Sequence, residues 1–273
     1  MGSSDGLWRA PPPPDLAHLV ERLAGRRAVG RRVLFPVFPT ARAELIFHFA
    51  DPFSAGTCER LRPLAPAALL GPRLARSWHC AGPAIDWFLI QLTPQGCRRL
   101  LGLEFAEAWE REIPLADLWG RRGAVLHDRL RQAGSFAARA AVATQAMRAM
   151  PGAGAAPEPM SVAGALARAG RLRTIDALRH RLDVGPRRLH QRFAGDYGVG
   201  PKLFLNLMRF GRQLEERHPL VAPREVGEPE YADESHAIRE FRRFSGLTPG
   251  AYAAQKKSGD RLIFTGADLL APQ

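Results

Sequence analysis

Lysine is nearly missing from this chain: of its 39 basic residues only three are lysines, and the rest are arginines. Cysteine is scarce too. Cys58, Cys80 and Cys97 are odd in number, widely spaced and without a CxxC pair, which argues against a disulfide framework or a zinc site and implies reduced thiols in the cytoplasm. No apolar run reaches the roughly 18 residues a membrane-spanning helix needs, so no membrane partner is expected. The opening MGSSDGLWRAPPPPD has no basic region followed by an apolar stretch, so it is not read as a secretory signal. Its Pro11 to Pro14 read as a stiff lead-in rather than a ligand for a partner domain. A Gly-rich phosphate loop, a nucleophile motif and an HExxH pair are all missing, so neither an enzyme nor a cofactor is implied. His127-Asp128 forms no recognisable catalytic constellation. His48 and His79 stand on expected strands without a clustered carboxylate, so no metal is expected there. They line an apolar pocket or hold a satisfied core position. Trp78, Trp87, Phe47 and Phe49 also fit pocket or core, with core favoured.

What is present is a net charge of +12 and a pI near 10.9 over 273 residues, 46% of them hydrophobic. That length fits one large or two ordinary domains, with enough apolar residues for real cores. A basic balance suits a polyanionic partner, yet abundant Ala, Gly, Pro and Arg also follow from a GC-rich genome. Location therefore decides more than total. Residues 161–214 carry 11 basic and 3 acidic residues, whereas residues 215–261 carry 8 basic and 9 acidic. The excess sits where a phosphate-contacting surface would need it.

Along the chain, Leu16 to Leu23 reads as a helix. Arg32 to Phe38 and Glu44 to Phe49 read as short strands around a Pro-Thr-Ala turn. Leu74 to Cys80 and Ala84 to Leu92 read as a hairpin around Gly82-Pro83. Helices are expected over Pro94 to Leu101, Val125 to Ala133 and Phe136 to Met150; the last two are Ala-rich and amphipathic, and are candidates for a homodimer surface. PGAGAAPEP, Pro151 to Pro159, is small, Pro-rich and free of large apolar residues, the composition of a linker. The expected organisation is an α+β chain: a β-rich barrel or sandwich with trailing helices over 1–150, a linker over 151–160, an all-α domain over 161–257 and a tail over 258–273.

The all-α part contains one pattern twice. In YADESHAIREFRRFSGLTPGAYAAQ, from Tyr231 to Gln255, Ile238, Phe241 and Phe244 share a helical face, with Arg239, Arg242 and Arg243 beside or opposite it. Gly246 suits a helix stop, and Thr248-Pro249 a capped restart. From Thr174 to Leu207, an Arg-rich helix likewise runs into Phe193, Gly198 and Gly200-Pro201. A basic helix in a tight helical turn is a shape that enters a DNA major groove. The pair resembles the two helix-turn-helix units of the AraC/XylS family of bacterial transcription regulators, over about 161–257. The ending Phe241, Gly246, Thr248-Pro249, Tyr252 carries most of that resemblance. The first half resembles the cupin-like sensor domain of one branch of the family, through Phe35-Pro36 with AELIFHF, Leu70-Gly71-Pro72, WFLIQLTPQGCRRLLG and IPLADLWG. The resemblance implies a regulator that binds double-stranded DNA and answers to a small-molecule effector or protein partner.

In the first unit, Thr174 to Leu182 is the expected supporting helix, with Ile175, Leu178 and Leu182 inward. Pro186 to Tyr197 is the expected recognition helix, with Leu189 and Phe193 inward. Arg187 and Gln191 lie four apart on another face, where Arg can grip guanine and Gln adenine. The family pattern makes these two the base-reaching positions, with His190 nearby and Arg188 and Arg192 on phosphate. Arg209, on the connecting helix, matches a family Arg that reaches phosphate or holds the packing. The second unit departs from the pattern. Its supporting helix falls on LVAPREVGEPE, where Pro223, Gly227 and Pro229 oppose a continuous helix, Glu225, Glu228 and Glu230 bring negative charge, and Ala237 replaces a large apolar residue. If this unit binds, Ser235, His236 and Arg239 match the base-facing positions. The rival reading is an interaction protein that kept the fold and lost DNA specificity.

Overall fold

A computed structural model of the chain describes residues 6–216 and 234–252. The N-terminal half carries ten strands: β1 (Gly6–Ala10), β2 (Val20–Val29), β3 (Val33–Val37), β4 (Ala43–His48), β5 (Ser54–Gly56), β6 (Leu61–Pro63), β7 (Ala67–Leu70), β8 (Ser77–Ala81), β9 (Ala84–Leu92) and β10 (Glu112–Pro114). α1 (Pro94–Gly96) follows β9 and widens into a π-turn over Cys97–Leu101. A 3-10 turn covers Phe105–Ala108. α2 (Leu115–Trp119), α3 (Arg121–Gln132) and α4 (Phe136–Arg148) then trail the strands. The described elements of the C-terminal half are all helices: α5 (Pro159–Arg168), α6 (Ile175–Leu182), α7 (Pro186–Tyr197), α8 (Pro201–Glu216) and α9 (Glu234–Ser245). The α+β class with strands before helices is as expected.

The strands form two antiparallel sheets, one of order β1-β2-β9-β4-β7-β10 and one of order β3-β8-β5-β6. The central strands β4 and β9 are apolar nearly without interruption because both their faces are covered. On one face Leu45, Phe47, Phe88 and Ile90 join Leu126, Leu130, Ala143 and Met147 of α3 and α4 in a single core. On the other, Ala24, Ile46 and Trp87 meet Phe35 and Ala81 of the smaller sheet and Phe53 just before β5. Asp86 of β9 ties α4 down: Arg139, almost fully buried, donates to its carboxylate at 3.0 Å and lies 3.9 Å over the Phe49 ring.

Two expectations are corrected. Leu16 to Leu23 is not a helix: a 3-10 turn over Pro14–Leu16 hands the chain to β2. Its spacing of Leu16, Leu19, Val20 and Leu23 mimics a helical stripe, but Leu16 and Leu19 are buried from the 3-10 turn and the turn after it, and Val20 and Leu23 from β2. Nor do β8 and β9 form a hairpin. β8 pairs with β3 and β5, whereas β9 pairs with β2 and β4. Gly82-Pro83 is where the chain crosses from one sheet to the other.

The segment expected as a linker is held against the N-terminal half. Gln95, fully buried, donates to Ala156 O at 2.7 Å and accepts from Glu158 N at 3.0 Å. Glu158 also pairs with Arg98 and Arg99. The main core runs without a break from the sandwich into the helical half, taking in Leu178, Phe193, Phe210 and Phe241.

Candidate nucleic-acid interface and interior cavity

α6 and α7 form a tight pair because each end is chemically specified. Thr174 caps α6, its Oγ1 accepting from Ala177 N at 3.1 Å. Asp183, in the left-handed region at φ 50°, ends it, and Pro186 occupies the first position of α7, where its missing N–H costs nothing. Leu178 and Leu182 of α6 and Leu189, Phe193 and Tyr197 of α7 are buried. Ile175 is not: it is 37% exposed at the edge of its expected stripe.

Burying Leu189 and Phe193 turns the opposite face of α7 outward. Arg187, Arg188, His190 and Gln191 are exposed, and Arg192 is half-buried. Ala194 and Gly195 continue the exposed face with almost no side chain, so a partner can approach the helix closely there. His190 leans toward the end of the unit, its Nε2 2.9 Å from where a Cβ on Gly200 would stand. The single carboxylate of α7, Asp196, is turned away, half-buried and 3.8 Å from the Arg98 guanidinium, where burial raises its pKa.

The C-terminal turn of α7 is held by residues that nothing in the local sequence pattern marked. Trp109 Nε1 donates to Tyr197 O at 2.6 Å. Phe105 meets the Tyr197 ring edge-on at 5.8 Å. Tyr197 also stacks with Phe193 and tilts against Phe204 of α8, and its hydroxyl donates to Met160 O at 3.2 Å. Burial pushes that phenol up to about 12. Arg168 of α5, beside it, pairs with Glu21 of β2.

The second pair is described in part. Residues 220–230, where its supporting helix was expected, lie outside the described residues, as do the side chains of Ser235, His236 and Ala237. Arg239 is exposed on α9. Phe241, Phe244 and Tyr252 are buried, and Ile238 is 39% exposed at the rim of their stripe. Gly246 turns at φ 77°, and Thr248 Oγ1 accepts from Ala251 N at 3.2 Å. Arg209 Nη1 lies 3.1 Å from Glu240, with side-chain exposures of 18% and 5%. Of its two expected roles, this contact is the packing one.

Between the two sheets lies a cavity of about 120 Å³. Ala24, Ile46, Phe53, Trp87 and Leu89 give it apolar walls; Arg22, Arg42, Arg73, Glu44, His79 and Gln91 supply its polar groups. Gln91 donates to Glu44 at 2.9 Å, and Arg73 donates to Ser77 Oγ at 3.2 Å. Trp87 Nε1 is buried with no hydrogen-bond partner. Burial holds His79 down to about 3, aided by Arg73, and His48 down to about 4, aided by His127. Trp87 and His79 thus take the pocket alternative, while His48, Phe47, Phe49 and Trp78 stay outside the lining. Gly211 and Leu214 of α8 line the cavity on the helical side. Among the described residues no three His, Cys, Asp or Glu side chains gather as metal ligands, and no helix is long and apolar enough to cross a membrane.

No family model and no curated protein matches the chain. Solved structures that resemble it include ToxT from Vibrio cholerae, at 11% identity and a TM-score of 0.43 over 85% of this chain and 96% of that one. ToxT bound to (E)-4-(8-methylnaphthalen-1-yl)but-3-enoic acid aligns at 11% identity and a TM-score of 0.45 over 92% of this chain and 98% of that one. Likeness at this level leaves the functional argument to the residues of the chain itself.

Proposed function

We propose that this chain is a sequence-specific, double-stranded-DNA-binding transcription regulator of the AraC/XylS type, and that α6 and α7 form its principal reading head. The observation that carries the reading is the division of α7 into a buried face of Leu189, Phe193 and Tyr197 and an exposed face of Arg187, Arg188 and Gln191. Arg187 and Gln191 are the base-reading pair, one suited to guanine and the other to adenine. Arg188 and Arg192 take phosphate. Arg239 of α9 is the residue through which the second unit adds contacts, together with Ser235 and His236.

The test is selection of bound sites from random DNA at physiological salt, with wild type beside Arg187→Ala/Gln191→Ala. An enriched motif that the double variant loses is the expected result. Salt-sensitive binding without enrichment would overturn the reading and leave a basic interaction protein.

The cavity is the effector site in this reading. Three guanidiniums against one carboxylate, on apolar walls, suit a small apolar molecule with one anionic group. Calorimetric titration with 2-naphthoate against neutral 2-naphthylmethanol checks this. The acid is expected to bind more tightly, and Arg73→Met to erase the difference; equal binding of both by the native protein sinks the anionic assignment.

A further inference from the structure

Each helical pair receives one phenylalanine from the N-terminal half, and the two insertions differ in what stands behind them. Phe105 enters the aromatic cluster of Phe193, Tyr197 and Phe204. Behind it is packed core: Phe105 is 1% exposed, and neither it nor Trp109, Arg98 or Glu21 lines the cavity. Phe38 enters the cluster of the second pair. Its ring lies edge-on to Phe210 and to Tyr252, 6.1 Å from each, and those rings in turn meet Phe241 and Phe244. Behind Phe38 is the cavity, which it lines together with Val37, Pro39 and Thr40.

A ring backed by close-packed atoms has nowhere to go. One backed by empty space can withdraw into it. Phe38 sits just past the end of β3, before the bridge in which Thr40 and Arg73 exchange backbone hydrogen bonds at 2.9 and 2.8 Å. Its mobility is therefore that of a short arch over the cavity rather than of a sheet interior. Among the described residues, Arg76 also reaches this part of the chain from the N-terminal half, donating to Ser245 O at 3.4 Å. The first pair is held by the Trp109 hydrogen bond, the Phe105 contact and the ion pair of Arg98 with Asp196, and α5 beside it by the ion pair of Arg168 with Glu21.

We propose that Phe38 is a positioning residue through which the contents of the cavity set the hold on the second helical pair, while the first pair moves with the N-terminal half as one body. An occupied cavity blocks withdrawal of the Phe38 ring, so the cluster of Phe210, Phe241 and Tyr252 tightens. An empty one lets it loosen. The inference builds on the cavity as effector site, but its test needs neither effector nor DNA.

The test is amide hydrogen exchange on the full chain, read at amides that open below global unfolding. Ala24→Leu fills the cavity from β2, and Leu89→Phe fills it from β9 should the first variant fail to fold. Filling is expected to slow exchange over 238–252 severalfold and leave α6 and α7 unchanged. Phe38→Ala is expected to speed exchange over 238–252, and Ala24→Leu/Phe38→Ala to match Phe38→Ala alone. Trp109→Phe is expected to do the opposite, raising exchange at the end of α7 and leaving 238–252 as it was. If filling changes α7 and α9 together, or a folded, filled variant leaves 238–252 at the native rate, the proposal is wrong. Failure here leaves base reading by α7 standing, because that is scored by selected DNA sites.

Discussion

Trp109 and Tyr197, 88 residues apart in sequence, are joined by a 2.6 Å hydrogen bond from the indole N–H to the backbone carbonyl. That carbonyl belongs to the last turn of α7, where helical acceptors have no partner within the helix. Gly198 makes the approach possible: it turns at φ 69°, and a Cβ there would stand 2.7 Å from the indole. Trp109→Phe keeps an aromatic side chain, smaller by one ring, and removes the donor. The expected loss is about 1 kcal/mol in urea unfolding, the usual net worth of such a bond. Gly198→Ala meets both the positive φ and the indole, so it is expected to cost more than Trp109→Phe. The reverse order would show that the indole is not seated as described.

The exposed basic face of α7 was legible in the sequence because it depends on local rules: a Pro start, an inward pair four apart and charged residues on the remaining face. α6 was legible for the same reason, through the inward spacing of Leu178 and Leu182. Trp109, Phe105 and Arg98 were not, since their contacts to α7 are long-range and no periodicity encodes them. The helix expected over Leu16 to Leu23 failed because burial from a 3-10 turn, a following turn and the start of β2 left a spacing that reads equally as a helical stripe. The crossing at Gly82-Pro83 was invisible for a related reason: a turn signal says that the chain reverses, not which sheet receives the next strand.

Arg209 offers a clean separation of packing from DNA contact. Its partner Glu240 is 5% exposed, so truncating that partner leaves a cation in a mostly dry place. Glu240→Ala is expected to destabilise by about 3 kcal/mol, whereas Arg209→Met/Glu240→Leu is expected to fall within about 1 kcal/mol of native. DNA affinity of the double variant is expected to match the native protein. A drop in affinity at unchanged stability would put Arg209 on phosphate as well as in the packing.

Acid stability follows from the two buried histidines. In the folded chain His48 titrates at about 4 and His79 at about 3, against about 6.5 when unfolded. Both pKa values are lowered by folding, so below 6.5 the unfolded chain binds more protons than the folded one. Their contribution is fully present above pH 6.5 and is lost as pH falls from there toward 4 and 3, by up to about 1.4 kcal/mol per pH unit for each. Thermal melts across that window are expected to fall more steeply for the native protein than for His48→Leu/His79→Leu. Parallel slopes would mean that neither ring is held neutral by burial.

Arg188 and Arg187 are neighbours on α7 with different expected duties, and salt separates them. A phosphate contact displaces condensed counterions whatever the sequence, so its loss weakens binding to every DNA alike and lowers the slope of log affinity against log salt by about 1. A base contact gives discrimination instead, worth about 1–3 kcal/mol for a bidentate pair. Arg188→Ala is therefore expected to weaken selected and random duplexes by the same factor and to flatten the salt slope. Arg187→Ala is expected to narrow the gap between selected and random duplexes, most at a guanine of the selected motif. Should Arg188→Ala lose specificity while Arg187→Ala changes only the salt slope, α7 lies in the groove rotated from the orientation its buried face implies, and the base-reading assignment moves one residue along the helix.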